Sequence, residues 1–163
     1  MSASDTVRHN AMTSNVMFLP HEPRALGLAR RQIRAELTAL GMAPVLLDDV
    51  ALVVSELVGN AVQHARALPG GGVELAWWLS TGGVHLRVTD GGSASPLEWR
   101  RTQAAPIRDE DAADVPLGDS GRGLMIVDQL AGDWGVDVEG PTRHAVWALI
   151  AVPPVAPVLR AVR

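Results

Sequence analysis

Three clusters in this chain combine side chains and spacing suited to chemistry. Glu56, Asn60 and His64 in SELVGNAVQH recur at i, i+4 and i+8, which stacks a carboxylate, an amide and an imidazole along one helical stripe. Such groups on an otherwise apolar helix are costly to bury without partners. The plainer reading is a polar edge turned to water, but the surrounding valines and leucines leave little room for a wide solvent face. Asp90-Gly91-Gly92 closes an apolar run ending in Val88-Thr89. A carboxylate there can accept a hydrogen bond from the amino group of a base, and glycine removes the side chain that would block a flat ring. An ordinary β-turn has the same composition. Gly118 to Leu124 (GDSGRGL) opens a third segment, where a helix N-terminus with glycines can receive phosphate on its unpaired N–H groups. A hinge capped by Asp119 or Ser120 explains that segment equally well. A dinucleotide fold would place its glycines after the first strand, so that alternative fits poorly.

These residues need elements to hold them. From Pro23 to Leu40 the positions Leu26, Ala29, Ile33, Leu37 and Leu40 recur at three- and four-residue steps, with Arg30, Arg31 and Arg34 mostly opposite. This predicts an amphipathic helix ending at Gly41. A second helix is predicted from Pro44 to about Ala67, with Asp48 and Asp49 near its positive end. It is apolar around most of its circumference and so should be central. NVMFL at 15–19 predicts a short strand, and VELAWWLS and VHLRVTD flanking Thr81-Gly82-Gly83 predict a β-hairpin. Trp77 and Trp78 are adjacent in it, so one of them must face away from the core. Between Gly91 and Ser120 lie three prolines, the stretch RDEDAAD and no sustained apolar period; a loop of this length is a functional lid or a disordered insert. GRGLMIVDQLA then predicts a helix, and WGVDVEG and HAVWALIAV predict two strands around Gly140-Pro141. The order implies an α/β fold, a two-layer sandwich whose mixed sheet carries helices on one face. The expected organisation is a disordered tail at 1–13, one domain at 14–152 with a lid at about 91–120, and a Pro-rich tail at 153–163.

Composition narrows the function. The chain has 163 residues, 47% of them apolar, and a net charge of -4, which fits one domain and argues against general affinity for nucleic acid. It has no cysteine, and all 14 basic residues are arginine; thiolate, Schiff-base and Walker-type lysine chemistry are excluded. No apolar run approaches the roughly 20 residues of a membrane helix. MSASDTVRHN carries no signal-peptide pattern, so the expected location is cytoplasmic.

Taken in order, the three clusters resemble the nucleotide-binding boxes of the GHKL ATPase superfamily, with its Bergerat ATP-binding fold. Within it the likeness is to bacterial anti-sigma factor serine/threonine kinases of the actinobacterial type. SELVGNAVQHA resembles the N-box, VTDGG the first glycine box, SGRGLMIVDQLAGDWGV the second, and HAVWALI the last core strand. The resemblance implies that Glu56 is the general base and that Asn60 ligates Mg²⁺. It implies that Asp90 accepts from the adenine amino group of ATP with Gly92 letting the base lie close. Gly121 and Gly123 would offer N–H groups to the phosphates, Arg122 would add charge, and His64 and Leu124 would belong to the same boxes. The implied partners are a sigma factor and an anti-sigma-factor antagonist, the latter phosphorylated, with no direct contact to nucleic acid or membrane. A homodimer through the first strand and helix is also implied.

Two positions depart from the family's pattern. Ala94 stands where the first glycine box usually has a second glycine. In His144-Ala145-Val146-Trp147, Ala145 replaces a threonine that would help bind adenine, an expected loss of about 1 kcal/mol. These departures motivate the competing reading of a weakly binding or non-catalytic module that regulates a partner by contact.

Overall fold

The computed structural model describes residues 14–92 and 122–152. The expected lid beyond Gly92, Ala94, Gly121, both expected tails and the side chain of Arg122 lie outside the described residues. Within them the order is β1 (Asn15–Leu19), α1 (Arg24–Ala39), α2 (Pro44–His64), β2 (Val73–Ser80), β3 (Gly83–Asp90), α3 (Arg122–Leu130), β4 (Asp133–Val138) and β5 (His144–Ala151). The strands form one sheet in the order β1-β2-β3-β5-β4, with the helices on one face, as the α/β sandwich expectation required.

The strand sense differs from the expected mixed sheet: every neighbouring pair is antiparallel. Two helices separate β1 from β2, so the chain returns to the end it left and the strands run opposite. One helix separates β3 from β4, which makes those two parallel. They never touch, because β5 lies between them.

The core is the contact between this sheet and α2. Val50, Val53, Val54, Leu57 and Val58 of α2 meet Val73, Leu75 and Trp77 of β2, Val84, Leu86 and Val88 of β3, and Ala148 and Ile150 of β5. Alternation along each strand puts the even-numbered residues of β3 and β5 on this face. α1 adds Ala25, Ala29, Ile33 and Leu37, one every fourth residue. Pro44 occupies the first turn of α2, where its missing N–H costs nothing. Trp77 is buried, and Trp78 points to the other face, where its ring stacks on His85 at 4.8 Å. On that outer face Arg87 bonds Asp137 and Glu139, and Arg143 bonds Glu139 and Glu74. No helix among the described residues is long and apolar enough to cross a membrane.

Candidate functional site

The stripe of Glu56, Asn60 and His64 follows the helical period of α2. All three are half-buried, while Leu57, Val58 and Ala61 between them are buried. They therefore face neither open water nor the sheet. What covers the first two is the start of α3. A Cβ placed on Gly123 would stand 2.6 Å from Oε2 of Glu56 and 3.5 Å from Oδ1 of Asn60. The carboxylate and the amide oxygen thus meet at the first turn of a nine-residue helix, beside its free N–H groups and positive dipole end. Glycine lets that turn come so near without displacing the carboxylate. Two hard oxygen donors in this place suit Mg²⁺, which takes few protein oxygens and leaves its other positions to phosphate and water. Nε2 of His64, one turn further on, is buried and finds no partner among the described residues.

The same, C-terminal end of α2 leads on to Asp90. The chain leaving α2 and the chain leaving β3 are tied by two bonds: Arg66 N–H donates to the Gly92 carbonyl, and Gly91 N–H donates to the Arg66 carbonyl, both at 2.8 Å. A Cβ on Gly91 would lie 2.1 Å from the Ala67 carbonyl oxygen, so this approach requires glycine. Gly92 has φ +86°, in the left-handed region that glycine adopts without strain. Asp90 is 6% exposed, and its Oδ1 accepts from Gly92 N–H at 2.8 Å. Burial pushes its carboxyl above the usual range; the Gly92 N–H and the charges of His144 and His21 act the other way.

One helix therefore links a carboxylate–amide pair under a helix N-terminus to a buried carboxylate at a strand end. Residues 19–149 match the histidine kinase-like ATPase domain family. The chain belongs to this family. It is similar to the serine-protein kinase RsbW of Listeria monocytogenes, at 27% identity over 117 residues covering 71% of this chain and 73% of that protein. The RsbW serine-protein kinase of Oceanobacillus iheyensis is 25% identical over 118 residues, 72% of this chain and 74% of that one. Among solved structures, the RsbU and RsbW domains of Rv1364c from Mycobacterium tuberculosis superpose with a TM-score of 0.61 at 20% identity. That match covers 86% of this chain and 32% of the larger protein, and it bears on the fold.

Within this histidine kinase-like ATPase fold, Glu56, Asn60 and Gly123 converge, Asp90 and Gly92 lie together, and Leu124 is half-buried in the first turn of α3. Ala145 pairs with Thr89, whereas His144 pairs with Asp90, so Ala145 follows the strand face away from the helices. One residue escaped sequence reasoning. His21, in the turn between β1 and α1, places Nε2 3.1 Å from the Ala61 carbonyl and 3.0 Å from that of Ala65. It ties off the C-terminal end of α2 beside Asp90. The contact spans about forty residues, and no local pattern signals it. Two apolar clefts of about 400 and 530 Å³ lie at the opposite pole of the sheet, around Leu40 and Leu79, and hold none of the motif residues.

Proposed function

We propose that the chain is a Mg-ATP-dependent protein serine/threonine kinase acting as an anti-sigma factor, which phosphorylates an anti-sigma-factor antagonist and so regulates transcription. The observation that carries this reading is the convergence of Glu56 and Asn60 under Gly123 at the first turn of α3. The names of the similar proteins in Listeria and Oceanobacillus support it.

Each residue then has one task. Asp90 accepts from the amino group of the base. The first turn of α3 receives phosphate oxygens on its N–H groups. Asn60 would hold Mg²⁺, which when bound would supply charge neutralisation on the transferred phosphate. Glu56 orients the attacking serine or threonine hydroxyl and takes its proton as the oxygen–phosphorus bond forms and the bond to the leaving ADP breaks. The working unit is residues 14–152, acting in the cytoplasm on a sigma factor and the antagonist. A homodimer through β1 and α1 belongs to the same reading, since Val16 and Phe18 on the edge strand are 54% and 71% exposed.

The first test is calorimetric titration with Mg-ATP, followed by transfer of labelled phosphate to candidate antagonists. Micromolar to submillimolar binding that Asp90→Ala abolishes, with transfer that Glu56→Gln cuts to a small measurable residual rate, is the expected result. Binding at millimolar ATP too weak to detect overturns the nucleotide reading. Binding without transfer to any cognate antagonist overturns the kinase half.

A further inference from the structure

His21 stands in the turn between β1 and α1, where Pro20 and Pro23 flank it and the buried Leu19 and Ala25 pin the chain on either side. Two backbone bonds at 2.9 Å close the turn, from Glu22 N–H to the Pro20 carbonyl and from Ala25 N–H to that of Glu22. The ring is thus carried on a fixed frame. Its Nε2 lies 3.1 and 3.0 Å from the carbonyl oxygens of Ala61 and Ala65. Carbonyl oxygens only accept, so Nε2 carries the hydrogen and shares it between them. A donor is needed there. Ala65 ends α2 in extended backbone, with φ -114° and ψ 170°. A longer helix would have offered its carbonyl the N–H four residues on, but that residue is Pro69, which has none.

Ala65 is also where the tie to the end of β3 begins. The next residue, Arg66, is bonded through its N–H to Gly92 and through its carbonyl to Gly91, and Gly92 N–H holds Oδ1 of Asp90. The imidazole stands near enough for its charge to act on that carboxyl. We propose that His21 is a positioning residue for base recognition: by fixing the end of α2 it sets where Asp90 presents its acceptor oxygen. This rests on the nucleotide-binding reading above and adds to it a residue outside all three motifs. A hydrogen bond weakens steeply once its length or angle leaves the usual range, so a displaced Asp90 loses the amino group of the base first. Contacts to phosphate belong to the start of α3, on another element, and are left intact. His21 therefore governs discrimination between nucleotides with and without an exocyclic amino group.

The test is calorimetric titration of the full chain with ATP and with purine riboside triphosphate, which lacks the 6-amino group. The variants are His21→Phe, which keeps a ring without a donor, and His21→Gln, which keeps a donor without the ring, each checked by thermal melting. Wild type should bind ATP about 10-fold more tightly than the analogue. In His21→Phe that preference should fall below about 3-fold while the analogue binds nearly as before, and His21→Gln should restore most of it. A merely structural role would weaken both nucleotides alike and leave their ratio unchanged, and that result overturns the proposal. So does a preference lost as fully in His21→Gln as in His21→Phe, which would assign the effect to charge or ring shape. Should His21→Phe fail to fold, the ring nitrogen NMR spectrum of wild type at about pH 9, where the imidazole is neutral, decides. Hydrogen on Nε2 is expected, and hydrogen on Nδ1 overturns the proposal. Asp90→Ala separates the two readings. If it abolishes the preference while the His21 variants behave as wild type, only the role of His21 falls. If it keeps the preference, or wild type binds neither nucleotide, the nucleotide reading falls and the proposal with it.

Discussion

Replacing Gly123 by alanine isolates the link between α3 and Glu56. The added methyl carbon would lie 2.6 Å from Oε2 of Glu56, 3.6 Å from its Cδ and 3.5 Å from Oδ1 of Asn60. Favourable contact between heavy atoms begins at about 3.5 Å, so the carboxylate must retreat by roughly 1 Å. It is the far end of a flexible, half-buried side chain, and it can do so without moving the backbone. Alanine also favours the helix over glycine by about 0.5–1 kcal/mol. The melting temperature should therefore stay within about 3 °C of wild type. The N–H of residue 123 survives, so the Michaelis constant for ATP should change only a few-fold. The transfer rate should fall about 100-fold, because a 1 Å misplacement of a catalytic group costs on that order, equivalent to about 2.7 kcal/mol in the barrier. Steady-state phosphorylation of an antagonist, with melting as control, measures both. If the loss acts through Glu56, Gly123→Ala should do little further harm in a Glu56→Gln background, since coupled residues are not additive. A wild-type rate in Gly123→Ala, or full additivity with Glu56→Gln, would refute the reasoning.

Three further outcomes follow from the geometry. Gly91→Ala drives a Cβ into backbone, at 2.1 Å from the Ala67 carbonyl oxygen and 2.8 Å from its carbon; the expected loss is about 3 kcal/mol, or roughly 10 °C in melting temperature, and a shift under about 2 °C would contradict it. Burial holds the Asp90 carboxyl above its ordinary 3.8, so its contribution to stability is whole below that pH and is lost as pH rises through the folded value. Asp90→Asn should therefore melt higher than wild type at neutral pH, with the gap closing toward about pH 4, while ATP binding weakens; calorimetric scans across that range would expose the error if the variant melts lower throughout. Phe18→Glu, at a position 71% exposed, should leave the melting temperature nearly unchanged and shift any dimer toward monomer in sedimentation velocity. An undisturbed dimer would remove β1 from the contact.

Much of the site was legible because its parts are local. The spacing of Glu56 and Asn60 follows from the helical period, and α2 is helical because its first turn begins with Pro44 and its interior is leucine, valine and alanine. The strand Asn15–Leu19 and the β2–β3 hairpin carry their signals within a few residues. Element ends were less legible where distant chain intervenes. The second helix was expected to reach Ala67 and stops at His64, because the backbone of Arg66 is taken by Gly91 and Gly92.

Sequence alone determined which residue types stand one turn apart on α2, that a carboxylate followed by two glycines ends β3, and that the helices and strands follow in the order of a two-layer sandwich. Tertiary structure alone decided what those residues meet. It set Gly123 against Glu56, brought His21 to the end of α2, and made the sheet antiparallel by inserting β5 between β3 and β4. It also chose His144 over Ala145 as the neighbour of Asp90. The reason is the two-residue period of a strand: a register shift of one residue exchanges the faces, and register belongs to the pairing of two strands rather than to either strand by itself.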